Sequence, residues 1–259
     1  MKYRLFGLVG SVLLASCAGG PAPRTRAGSP WDADREYLAI FCRPSDRLIG
    51  IGFSPLGLYS KDPAYARAAE MAVRLLNWSI HVRVKGTRLF ERTPGETVEY
   101  RGEKIDLLEL PGLEPASCRL ESLEVGSRGW IVAVRKEEVP GAYGDTASFA
   151  ARPPDWISTP PKDTGWLYAT GIAELSYKDE PGSWELATYH ALVELAFLGG
   201  TRTGSLERLQ DDPSGAELQE VDTVLEGFRI AARWRDRSHV YVLGKVPSAG
   251  LVSRLVPGG

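Results

Sequence analysis

The order of residue patterns in the first half of the chain returns in the second, and this repetition restricts the fold more than any other feature. The first copy runs Leu48-Ile-Gly-Ile-Gly-Phe53, then Tyr59-Ser-Lys-Asp62, then an Ala-rich stretch with Ala68, Ala72 and Leu76. The second runs Tyr168-Ala-Thr-Gly-Ile-Ala173, then Tyr177-Lys-Asp179, then Ala187, Ala191 and Leu195. Further on, Cys118-Arg-Leu120 precedes Trp130-Ile-Val-Ala-Val134, and Phe228-Arg-Ile230 precedes Val240-Tyr-Val-Leu243 at the same spacing (118 to 130, 228 to 240). Each copy therefore predicts a small-residue strand, a turn, a helix with Ala every fourth residue, and a closing hairpin through Gly126-Ser-Arg-Gly129 or Asp236-Arg-Ser-His239.

Between the copies, Val139 to Lys162 carries two Pro-Pro pairs and several glycines, a composition that reads as a linker. The expected organisation is two tandem α+β domains, 33–138 and 165–256, joined by a Pro-rich linker at 139–164. Each should be one helix packed on a three- to four-stranded, mostly antiparallel sheet. Asp62 before Pro63 predicts a helix N-cap, with an apolar face running to about Trp78. Ser183 is the candidate cap of the second helix, which Gly199-Gly200 should end. His81-Val-Arg-Val-Lys85 and Ile105-Asp-Leu107 alternate like half-exposed strands.

The N-terminus carries an address. Lys2 and Arg4 precede an apolar run from Leu5 to Ser16, too short to span a bilayer but suited to a signal peptide. The run ends in Leu14-Ala15-Ser16-Cys17, a lipobox pattern, so residues 1–16 are expected to be cleaved and Cys17 to be acylated, palmitate included. Residues 17–32 then form the lipidated Cys and a flexible tether. Loss of Lys2 and Arg4 leaves 29 basic against 33 acidic residues, and this negative balance argues against a nucleic-acid partner. Ala18 stands where an Asp would retain the protein in the inner membrane, which favours the outer membrane.

The second copy resembles the Lpp-twenty family of bacterial lipoproteins through Pro154-Asp-Trp156-Ile157, Tyr168-Ala-Thr-Gly171, the helix with Ala187 and Ala191, and Trp234-Arg-Asp236 before Val240-Tyr241-Val-Leu243. The resemblance spans roughly 154–246 and extends more faintly to 48–135, where Gly50, Gly52, Asp62, Ala68 and Ala72 are the counterparts. Ala173 departs from it, standing where family members usually carry another Gly. The resemblance implies an outer-membrane lipoprotein of α+β fold, some relatives being linked to flagellar or envelope assembly. It implies no enzyme.

Motifs that would carry catalysis are incomplete. Gly50-Ile-Gly52 lacks the third Gly of a dinucleotide fingerprint, and its glycines read as points of close backbone approach. Ser54 lacks the Gly at position 56 of a nucleophile elbow and reads as a turn hydroxyl. Gly200-Thr-Arg-Thr-Gly204 lacks the Lys of a phosphate loop. His81, His190 and His239 have no metal-ligand spacing, so neither metal nor cofactor is expected. Cys42 and Cys118 are a candidate disulfide pair in an oxidising compartment. Trp130, Trp156, Trp166 and Trp234 fall around the strands and the linker, as core filling or as a binding platform.

These observations lead to one expectation, a non-enzymatic lipoprotein of the cell outer membrane, on its periplasmic side or at the surface. It would serve as a structural or partner-binding component of the envelope, with an envelope protein or a second copy as partner, bound at sheet edges or between the domains. The alternatives are a periplasmic glycan- or peptidoglycan-binding module and an unrecognised periplasmic hydrolase.

Overall fold

The computed structural model describes residues 38–39, 41–42, 48–55, 61–92, 99–109, 118–125, 129–135, 150, 152–206 and 215–253. In chain order these form β1 (Gly50–Pro55), α1 (Lys61–Ile80), β2 (His81–Arg92), β3 (Glu99–Glu109), β4 (Arg119–Val125), β5 (Gly129–Arg135), β6 (Trp166–Glu174) and α2 (Glu180–Gly200). They are followed by β7 (Thr201–Leu206), β8 (Gly215–Glu226), β9 (Arg229–Arg235), β10 (His239–Pro247) and β11 (Leu251–Ser253). The fold is α+β with antiparallel sheets.

Two three-stranded sheets have the same topology. One has the order β1-β5-β4 and the other β6-β10-β9, each with the helix that follows its first strand packed on it. The glycines explain how close that packing is. A Cβ built on Gly52 would lie 1.9 Å from the Ala68 carbonyl oxygen and 2.7 Å from the Ala72 nitrogen. A Cβ on Gly171 would lie 1.9 Å from the Ala187 oxygen and 2.4 Å from the Ala191 nitrogen. A constant displacement of 119 residues relates these positions (52 to 171, 68 to 187, 72 to 191). In each module the strand lies directly against the helix backbone, and only Gly opposite Ala leaves room for it. Gly50 makes the same contact with Ala72 and Leu76, whereas its counterpart in the second module is the buried Ala169.

The modules are not separate tandem domains. After its helix, the first module contributes β2 and β3 to a third sheet of order β11-β8-β2-β3, in which β7 also lies beside β8. β2 pairs with β8 of the second module from His81↔Glu226 to Arg92↔Gly215. Arg83 clamps Asp222 across that seam with two bonds of 2.6 Å. Arg88 reaches from β2 to Glu194 of α2 and to Glu103 of β3, with its guanidinium 4.1 Å above the Phe197 ring. One hydrophobic cluster runs through both halves, from Phe41, Ile51 and Met71 to Trp184, Leu225 and Val246.

The helices differ accordingly. α1 buries one face, with Ala64, Ala68, Met71, Ala72, Leu75 and Leu76, against the first sheet. α2 is apolar around much of its circumference because it lies between two sheets. Its Ala187 and Ala191 meet β6, while Gly199 abuts Leu251 of β11 and Gly200 abuts Thr223 of β8.

Several local expectations are corrected. Ser183 lies inside the first turn of α2, where its hydroxyl accepts the Ser176 N–H at 2.9 Å. The cap is Asp179, whose Oδ1 accepts the Gly182 N–H at 3.2 Å. Asp62 sits within the first turn of α1 and not before it, and Gly199-Gly200 belong to the last turn of α2. The Gly200–Gly204 stretch, compared above with a phosphate loop, runs from the last residue of α2 into strand β7, and Ser54 is a fully buried strand residue, not a turn hydroxyl.

Candidate interaction surface

Because Gly171 faces α2, the alternate residues Tyr168, Thr170 and Ile172 face away from it. The registers set Lys245, Leu243 and Tyr241 beside them on β10, and Ala232 and Trp234 beyond on β9. This outer face is aromatic and cationic. Lys245 Nζ and Arg229 Cζ lie 4.7 Å and 5.0 Å from the centre of the Trp166 ring, and the Trp234 and Tyr241 rings are 5.4 Å apart. The tilted ring pair and the cation–π contacts each contribute on the order of 0.5–1 kcal/mol.

The Trp234–Leu243 part of the face is covered, while Ile172 stays exposed. Trp234 is only 6% exposed and Leu243 only 4%, although both point away from the helix. Part of the Pro-rich segment lies across them. Trp234 Nε1 donates to the Ala150 carbonyl at 2.9 Å, Thr170 Oγ1 donates to the Trp156 carbonyl at 3.2 Å, and the 3-10 turn Asp155–Ile157 packs against β10. Residues 152–160 are therefore a strap on the second module, which corrects the expectation of a linker between domains there; residues 139–149 and 151 lie outside the described residues. Trp156 is half-buried within the strap.

Asp236 organises the end of this face. Its Oδ1 accepts the N–H groups of Ser238 and His239, each at 2.7 Å, and its Oδ2 accepts the Tyr241 hydroxyl at 3.1 Å. Burial acts to raise its pKa, but these bonds outweigh burial and hold the carboxyl below the usual carboxylate value. The Trp234, Asp236 and Tyr241 motif thus locks the β9–β10 hairpin.

Beneath the sheet, Arg233 and Arg235 point inward, 6% and 5% exposed. Arg235 approaches Glu180 at 3.4 Å, and Glu180 also accepts Trp184 Nε1 at 3.3 Å. Arg233 donates to the Phe41 carbonyl at 3.1 Å and lies 4.5 Å above the Phe41 ring, while its Nε has no partner among the described residues. The Phe41 ring touches both Phe53 and Trp184, so the helical turn at 38–42 binds the first module to the second. Cys42 is buried beside this cluster. Burial pushes its thiol up to about 12 against the lowering influence of Arg233 and Arg235, and burial pulls Arg233 down to about 10. The expected Cys42–Cys118 disulfide is absent. Cys42 lies in the main core, and half-buried Cys118 packs against the Ala68, Ala72 and Leu76 cluster.

The histidines are not brought together as a site. His190 Nδ1 bonds the Ile172 carbonyl, tying the flank of α2 to the edge of β6. His239 Nδ1 lies 2.9 Å from Ser238 Oγ, and His81 opens β2 opposite Glu226. Among the described residues no group of His, Cys, Asp or Glu could hold a metal, and no helix is long and apolar enough to cross a membrane. Cys17, the signal region and the tether lie outside the described residues, and Trp130 is placed only by its backbone register, opposite Ser54 of β1 and Glu124 of β4. Sequence reasoning missed the inward Arg233–Arg235 pair. Its signal was the alternation in Arg233-Trp-Arg235, with the aromatic turned outward. No protein-family model, curated protein or solved structure matches this chain.

Proposed function

We propose that the chain is a non-enzymatic bacterial outer-membrane lipoprotein, anchored through Cys17, that serves the envelope as a structural or partner-binding component. The Leu14-Ala15-Ser16-Cys17 sequence after a short apolar run supports the anchor. The observation that carries the binding role is where the chemistry-bearing side chains make their bonds. Asp236 holds a hairpin, His190 ties a helix to a strand, and Ser54 is buried within β1. Nucleophile, base and orienting partner would need to share hydrogen bonds for catalysis, and His190 and Ser54 sit apart in separate structural roles. Asp236, Ser238 and His239 do share them, but within one tight turn, where Ser238 Oγ donates to Asp236 Oδ1 at 3.0 Å and so has no proton to give to His239 Nδ1 at 2.9 Å. The Lpp-twenty resemblance is in keeping with this, since its motif residues Gly171, Ala187, Ala191, Trp234, Asp236 and Tyr241 have packing and turn-locking roles. The aromatic strip around Trp166 and Trp234 keeps a glycan-binding reading in play, with the strap lying over part of that strip.

Fractionating envelopes from cells that make the wild type or Cys17→Ser tests the anchor. The variant should leave the membrane fraction or accumulate as precursor, and normal processing with membrane retention would overturn the assignment. Cross-linking the wild type in envelopes and screening it for turnover of peptidoglycan fragments, esters and phosphoesters tests the role. Capture of a partner without turnover is expected. Turnover abolished by a substitution at His81, His190 or Ser54 would establish a hydrolase instead.

A further inference from the structure

β3 is the edge of the third sheet. Among the described residues it pairs only with β2, so an 11-residue strand presents unpaired N–H and C=O groups along its far side. Its core-facing residues Ile105 and Leu107 pack against the main cluster, while Lys104, Asp106 and Leu108 are exposed on the other face. Gly102, at φ +145° beside the register shift, interrupts the strand, so the regular edge runs from about residue 103 onward. A long regular edge of this kind is a template for strand addition.

We propose that a second copy of this chain docks on this edge, β3 pairing antiparallel with β3 about a two-fold axis at Ile105, with Lys104 of each copy opposite Asp106 of the other. The register follows from charge. A two-fold axis perpendicular to the sheet keeps the core-facing sides of both copies together, so residues facing each other share a side of the strand. Centring the axis on Glu103, Lys104 or Asp106 sets that charge against its own copy, and like charges directly opposite oppose pairing. Centring it on Ile105 sets apolar against apolar and forms the Lys104–Asp106 pair twice. Neither Lys104 nor Asp106 forms a salt bridge among the described residues, so both charges are available. The molecule already joins its two modules in this manner, through antiparallel pairing of β2 with β8 in the same sheet, and the dimer extends that sheet across the axis. This inference rests on the binding role proposed above and names its partner. It does not depend on the anchor.

The test measures the native mass of the full-length chain in mild detergent across a dilution series, so its outcome is separate from that of membrane fractionation. The wild type should be a dimer at tens of micromolar. Lys104→Asp places Asp opposite Asp106 twice and should weaken the dimer by about tenfold or more. The double variant Lys104→Asp, Asp106→Lys restores opposite charges and should recover it. Both side chains are exposed, so the thermal midpoint at a dilution where the wild type is monomeric should be the same in all three proteins. A monomeric wild type, a dimer indifferent to Lys104→Asp, or failure of the double variant to recover the dimer would each overturn the proposal.

Discussion

Replacing Gly171 with Ala tests the packing that defines both modules. The added Cβ would stand 1.9 Å from the Ala187 carbonyl oxygen and 2.4 Å from the Ala191 nitrogen. Ordinary contacts begin near 3.4 Å, and both obstacles are helix backbone, so α2 must lift by roughly 1 Å or β6 must bend. Overpacking of this kind costs about 1–3 kcal/mol, and more where backbone must move. The reduced freedom of the unfolded chain returns about 0.4–1 kcal/mol. With two backbone obstacles the cost stands at the top of that range, so a net loss of about 2 kcal/mol is expected, which for a chain of this size lowers the thermal midpoint by roughly 4–8 °C. Gly52→Ala should cost a similar amount, because its Cβ would meet the Ala68 oxygen at 1.9 Å. Gly165→Ala is the control. It meets nothing within 4 Å, and only the strain at φ +105° opposes it, about 1 kcal/mol. Urea denaturation of the three variants measures these differences. A loss below about 1 kcal/mol for Gly171→Ala would refute the close-contact argument.

Three further outcomes follow from the site. Asp236 is held below its ordinary pKa, so it stabilises the fold above the unfolded value near 4 and loses that contribution as pH falls through the folded value. The urea midpoints of wild type and Asp236→Asn should therefore converge between about pH 5 and pH 2, and a constant gap would contradict the assignment. Arg233 is buried with an unpartnered Nε and no carboxylate contact among the described residues, so Arg233→Met should be neutral or stabilising, measured by chemical denaturation; a loss above about 2 kcal/mol would show that the guanidinium is paired. A maleimide should label half-buried Cys118 in the folded protein and reach buried Cys42 only after unfolding, with mass spectrometry reporting the order.

The sequence exposed what is local and hid what is shared. The Gly52–Ala68–Ala72 and Gly171–Ala187–Ala191 sets were legible because a small residue on a strand facing small residues four apart on a helix has few other uses. The hairpins were legible from their turns, and β2 and β3 from their alternation. β8 also alternates, with Val221, Thr223 and Leu225 inward against Glu220 and Asp222, but no residue pattern shared with the first copy marks it. The shared sheet could not be read at all, because pairing His81–Arg92 with Gly215–Glu226 joins strands whose local patterns carry no sign of each other. The strap was misread for a related reason. Proline excludes Pro153-Pro154 from a central strand, yet an extended chain with Pro154 at φ −73°, ψ 150° can lie across an aromatic face. The caps moved because Asp179 and Ser183 are both capping residues, and only the fold shows Ser183 buried behind the Ser176 N–H.

The central claim is that two equivalent modules are fused into one cooperative body by the β2–β8 seam and the turn at 38–42. Native-state hydrogen exchange across increasing urea measures this directly. The amides of β2 from Val82 to Leu89, their partners on β8, and the middle turns of α1 and α2 should open together at one free energy, that of global unfolding. A first module that opens at a distinctly lower free energy while β8, β10 and α2 stay protected would contradict the claim and return the chain to two tandem domains.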